Sequence, residues 1–153
     1  MIRGKVTHQV DDDVVEEIIS PTQVKLTAED KPVYISNEAG YIIFPKKYIT
    51  AYIQLKKKDK VSAELRIKND KIKFIAKMYN YEQYVVRYQI PTNTIELLRE
   101  EYGLSSFRFY VNVTIIIDFE KETQKLILEV PYWELKNAFD SLFSTEEEGG
   151  EGE

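Results

Sequence analysis

Lysines at 56, 57, 58, 60, 68, 71, 73 and 77 form the densest run of one chemistry in this chain. Ammonium groups so closely spaced can neutralise the phosphates of a nucleic acid and release its counterions. Tyr79, Tyr81 and Tyr84 follow directly, and planar rings beside cations can stack unpaired bases. A second reading stays open for both groups. The lysines can be a solvated face that keeps an edge strand from pairing with other chains. Alternation along 79–88, which also holds Tyr88, places some of these rings in the core and others on the barrel rim, and core packing is the simpler account. Arginine is sparse here, with Arg66 and Arg87 only, which favours phosphate contact over bidentate reading of guanine.

Other chemistries are harder to assemble. His8 is the sole histidine, and cysteine is absent, so disulfides and thiolate metal sites are excluded. Asp11, Asp12 and Asp13 lack the ligand spacing and central glycine of a calcium loop, and read as a helix start or solvated turn. No glycine-rich loop for cradling phosphates is present. No acid, base, nucleophile or metal set converges by spacing, so the expectation is a non-enzymatic protein without a cofactor or metal.

Charge is unevenly placed along the 153 residues. Residues 1–45 carry −4, residues 46–88 carry +8 and residues 89–153 carry −9, for a net −5. Five glutamates fall in the last eight positions, so the acidic balance does not argue against a polyanionic partner. The tail 146–153 can solubilise the chain, compete with nucleic acid for its lysines, or recruit a basic protein partner. The length suits one domain. No apolar run approaches the roughly 20 residues of a membrane helix, and no secretory signal opens the chain. A cytoplasmic protein without a membrane partner is expected, as monomer or homodimer. The Ile, Lys, Glu and Tyr bias is one seen in thermophile proteins, and suggests an archaeal or viral source.

The elements that must hold these residues repeat. Tyr41–Phe44 reads as a strand, Pro45 as a first helical position, and residues 46–54 as a short helix. Lys56–Lys60 is then an exposed turn, and runs at 62–67 and 72–76 form a hairpin about the turn 68–71. Gln89 and Ile90 end a second strand before Pro91, a helical stripe through Ile95, Leu98 and Tyr102, and Gly103 as C-cap. Runs at 107–117 and 125–130 follow. The second proline lies 46 residues after the first, which suits a tandem repeat. Upstream, strands are expected at 2–9, 22–27 and 33–36, with Ala28–Pro32 a polar turn. Residues 14–19 read as either helix or strand. Residues 132–143 read as an amphipathic helix, with Trp133, Phe139, Leu142 and Phe143 most simply its buried face and, if left exposed, a partner-docking patch.

The first copy, Phe44-Pro45-Lys46, Leu55, Lys57-Lys58-Asp59-Lys60-Val61, then Leu65, Ile67, Asp70, Ile72 and Phe74, resembles the SpoVT/AbrB-type swapped-hairpin domain. The likeness covers about residues 41–77. It departs from the family where Lys58 replaces the usual glycine before Asp59, and where the helix is about one residue longer. The second copy keeps Ile90-Pro91, the helix and Gly103-Leu104. The resemblance implies duplex DNA binding, usually in transcription control, through Lys46, Lys47, Lys56, Lys57, Lys58, Lys60 and Arg66. Hairpin residues Lys68, Lys71 and Lys73 extend that surface. The fold expected is mostly β (α+β), a barrel of two tandem strand–helix–hairpin halves. Residues 1–143 would be one domain, with 1–36 adding strands, repeats at 41–77 and 86–130, and a closing helix at 132–143. Residues 144–153 would be a disordered acidic tail. The alternatives are a protein-binding adaptor or inhibitor, or a non-specific single-strand binder using the tyrosines.

Overall fold

A computed structural model describes residues 14–105 and 107–135. The expectations for residues 2–9, His8, Asp11–Asp13, Phe139, Leu142, Phe143 and the tail lie outside the described residues. The described chain is mostly β. Strands β1 (Val14–Ser20), β2 (Gln23–Ser36) and β3 (Ala39–Pro45) lead into helix α1 (Lys46–Thr50). Strands β4 (Lys58–Ile67), β5 (Asp70–Tyr79) and β6 (Val85–Ile90) lead into helix α2 (Thr92–Tyr102). Strands β7 (Arg108–Asp118) and β8 (Thr123–Glu129) follow, and residues 132–135 open a last helix.

The strands close into a seven-stranded barrel in the order β2-β3-β6-β5-β4-β8-β7, with β7 pairing back onto β2. Closure removes the open edges of the barrel strands, with β1 added along β2 outside the ring. The long β2 makes this possible. β7 runs along one side of it from Gln23 to Tyr34. On its other side β1 covers residues 23–28 and β3 covers residues 34–36.

Period-2 alternation sets the inward face. Phe109, Val111, Val113, Ile115 and Ile117 of β7 meet Val24, Leu26 and Val33 of β2 and Val61, Ala63, Leu65 and Ile67 of β4, all buried. Burying each such side chain is worth about 1.5–3 kcal/mol. Tyr88 lies wholly in this core, where its hydroxyl donates to Gln124 Oε1 at 2.6 Å and burial pushes its pKa up. The helices close opposite ends of the barrel. Ile49 and Ile53 seal the end where β3 finishes. Ile95 and Leu98 seal the end where β3 begins, and Ile95 packs so closely on Gly40 that an added Cβ would lie 2.7 Å from its Cδ1.

Pro45 ends β3 as an extended N-cap rather than taking the first helical position, Pro91 is likewise an extended N-cap, and Gly103 ends α2 as expected in the left-handed region at φ 68°. The order strand–helix–hairpin occurs twice, as β3–α1–β4–β5 and β6–α2–β7–β8. The pairings of the two halves differ, since β6 continues to β5 while β3 continues to β2. β4 and β8 run parallel.

Three local expectations are corrected. Residues 28–32 are not a turn but a bulge within one continuous β2, between Ala28 and Lys31. Asp30 adopts φ 54° there, and the Asn112 side chain on β7 accepts its N–H at 3.0 Å. Helix α1 ends at Thr50, shorter than the 46–54 span. Lys58–Lys60 already belong to β4, because they pair with Tyr79–Lys77. Residues 14–19 resolve as strand.

Candidate nucleic-acid interface

The inward set Val61, Ala63, Leu65 and Ile67 forces the intervening residues of β4 outward. In register with β5, the outward pairs are Lys58–Tyr79, Lys60–Lys77, Ser62–Ile75, Glu64–Lys73 and Arg66–Lys71. Two of these place cation directly opposite cation, an arrangement that destabilises a sheet by itself. Ile75 stands 54% exposed between Lys73 and Lys77. Glu64 is the counter-ion at the centre. It is 4% exposed, accepts a short hydrogen bond from Arg66 Nε, and lies 3.8 Å from Lys125 Nζ. The Arg66 hydrogen bond, then the fields of Arg66, Lys125 and Lys71, hold its carboxyl below the ordinary value despite burial.

The sequence-selected residues fall into two groups at the ends of this ten-residue hairpin, about 30 Å apart at the rise of a strand. At the α1 end lie Lys46, Lys47, Lys56, Lys57 and Lys58, with the loop that carries Tyr81 and Tyr84. Asn80 N–H donates to the Lys57 carbonyl at 2.8 Å, and Lys46 N–H to the Tyr84 carbonyl at 2.9 Å. The Lys46 ammonium donates to the Glu82 carbonyl, and Lys47 Nζ sits 5.3 Å from the Tyr48 ring centre. At the other end Lys68 turns the hairpin at φ 55°, with Lys71 beside it. Tyr102 of α2 anchors this tip by donating to Asp70, and that bond pushes the phenol up to about 12. Lys60, Lys73 and Lys77 span the strands between. Lys46 and Arg66 are thus tied to their neighbours, whereas the remaining hairpin cations face outward.

The tyrosines divide by element: Tyr88 is on the inward face of β6, whereas Tyr81 and Tyr84 stand in the loop between β5 and β6. Tyr81 and Tyr84 are exposed, and Tyr79 is half-buried, with its ring centre 6.0 Å from that of Tyr81.

A second set of side chains escaped the sequence. One outward row crosses six strands by directly opposed pairs: Lys60, Lys77, Gln89, Tyr41, Tyr34 and Arg108. Gln89 ties it together, donating to the Tyr41 hydroxyl at 3.2 Å and accepting from the Tyr79 hydroxyl at 3.1 Å. The Arg87 guanidinium lies 6.0 Å from the Tyr41 ring centre, and that of Arg108 lies 5.6 Å from Tyr110. Trp133 lies beside the row, over β2 and β7, rather than entering the core. It is 41% exposed, lies 5.8 Å from Tyr110, and donates to Asp30 Oδ1 at 3.2 Å. The only sequence signal for this row was the alternation of tyrosine with apolar residues on each strand.

Comparisons with protein-family models, curated proteins and solved structures give no match. The swapped-hairpin resemblance rests on residues 41–77 themselves. Among the described residues no acid and histidine cluster could hold a metal ion, and no helix is long and apolar enough to cross a membrane.

Proposed function

We propose that this chain is a non-enzymatic DNA-binding protein that docks on the phosphate backbone through the outward face of the β4–β5 hairpin. The observation that carries this reading is the direct opposition of Lys60 and Lys77, with Lys71 opposite the Glu64-bound Arg66 further along the hairpin. Opposed like charges cost stability in the isolated protein, and a polyanion laid across them relieves that repulsion. Exposed Ile75 within the cationic face adds an apolar contact of the kind that phosphate docking leaves room for. Lys56, Lys57 and Lys58 extend the face toward Tyr81 and Tyr84.

Fluorescence anisotropy with random-sequence DNA over a salt series tests the reading. Engagement of about five phosphates gives a log–log salt slope of roughly −3.5 for single strands and −4.5 for duplex. Replacing Lys58, Lys60 and Lys77 by glutamate should abolish binding. Binding that ignores salt, or no binding at all, overturns the proposal.

A further inference from the structure

We infer that the row across β4, β5, β6, β3, β2 and β7 selects single-stranded over duplex nucleic acid. The inference rests on the phosphate-docking reading for its cationic end. It adds a base-stacking track that the lysine hairpin alone does not provide.

The geometry of the row carries the argument. Six strands at the usual spacing of about 4.8 Å make the row an arc of roughly 24 Å at the backbone, five of the seven strand-to-strand steps around the closed barrel, a curve that a flexible unpaired chain can follow and a stiff duplex cannot. Lys60 and Lys77 supply positive charge at one end, and Arg108 supplies it at the other. Between them stand Tyr41 and Tyr34, the latter 43% exposed, and Trp133 lies beside the row against Tyr110, whose ring Arg108 also approaches. None of the six residues in direct register is acidic. Carboxylates near the row have partners: Asp59 accepts the Lys60 N–H at 2.9 Å, Glu82 pairs with Arg87 at 2.9 Å, Glu134 accepts the Tyr110 N–H at 2.8 Å, and Asp30 accepts from Trp133.

Cations at both ends and rings between them match a polymer with charges along its length and flat faces available between charges. A duplex offers the charges but hides its base faces in the stack. An unpaired strand offers both, and each base stacked on an aromatic ring contributes about 1–3 kcal/mol. The Gln89 bridge fixes Tyr41 and Tyr79 in place before any ligand arrives, so less side-chain freedom is lost on binding.

The test uses the full chain with labelled oligothymidylate and a duplex of equal length. The wild-type protein should bind the single strand more tightly, and its sole tryptophan should be quenched on binding. Tyr34→Ala, alone and combined with Trp133→Ala, should weaken single-strand binding roughly 10–100-fold while leaving duplex affinity and salt slope unchanged. Tyr34→Phe should retain binding. Both positions are partly exposed, and a thermal melt verifies that the variants fold. Equal losses for single strand and duplex, or no loss for either, overturn the inference. So does competition by polyglutamate as strong as that by oligothymidylate, because polyglutamate has charge without rings. Salt-dependent duplex binding with no single-strand preference overturns this inference alone. Failure of the lysine-to-glutamate variant to weaken any binding overturns the phosphate reading beneath it.

Discussion

Glu64 and Tyr102 show how single residues shape the cationic hairpin. Glu64 neutralises part of this cationic face, so under the proposed phosphate docking its removal should separate stability from binding. Glu64→Gln should cost about 1–2 kcal/mol, because Arg66 loses a charge-assisted partner. It should also tighten DNA binding severalfold and steepen the salt slope, which denaturant melts and anisotropy would read. The pH dependence follows from the direction of its shift. With the folded carboxyl held below its ordinary 4.5, its contribution is complete above that pH and declines as pH falls through the folded value. The wild-type protein should therefore lose stability in acid below about pH 4.5, and Glu64→Gln should lose less over that range. Tyr102 has the opposite sign. Its phenol is raised from 10.0 to about 12 by Asp70, so its contribution is present below pH 10 and disappears as pH climbs toward 12. Tyr102→Phe should lower stability by about 0.5–1.5 kcal/mol at neutral pH and flatten the alkaline limb of the stability–pH curve.

Among the elements, the β4–β5 hairpin has a charged residue where glycine would fit better. Lys68 occupies the left-handed region, at a cost of roughly 1–2 kcal/mol for a residue with a Cβ. Lys68→Gly should raise the melting temperature while weakening DNA binding by the loss of one phosphate contact. A variant that gains both stability and affinity would contradict a binding role for the tip. This hairpin was legible in the sequence because its signals are local: apolar residues at every second position and a polar turn between them. The bulge in β2 was not. Glu29-Asp30-Lys31-Pro32 has turn composition, and what keeps it in a strand is Asn112 on β7, 82 positions away from Asp30. The same distance in sequence hid the aromatic row. Tyr34 and Arg108 meet only because β2 pairs with β7, and Tyr41 meets Gln89 only because β3 pairs with β6. The lysines, adjacent in sequence, needed no such knowledge. Their division into two end groups did, since it depends on where β4 begins.

For the whole molecule, the barrel wall and the β1 flap should differ in stability. Ile115 is buried on the inner face of β7, where β2 and β8 both hold it. Ile115→Ala should cost about 2–5 kcal/mol in a denaturant melt. Ile18 of β1 is 63% exposed, and Ile18→Ala should stay within about 0.5 kcal/mol of wild type. Native-state hydrogen exchange should rank β7 amides slowest and those on the open side of β1 fastest.

The seam between β2 and β7 also governs the order of events during synthesis. Gln23 pairs with Asp118, so a strand translated early waits for one translated 95 residues later. Until β7 leaves the ribosome, one whole side of β2 has no partner, and the β4–β8 parallel pair is likewise unmade. The early chain can form β3–β6 and β4–β5, which are closer in sequence, but it cannot become a barrel. Closure is therefore a late, nonlocal step, and it places this protein with the slow-folding β topologies that take milliseconds to seconds. The nascent hairpin passes that interval with the β8 side of β4 unpaired, and lysines along such an edge are of the kind that discourages pairing with other chains.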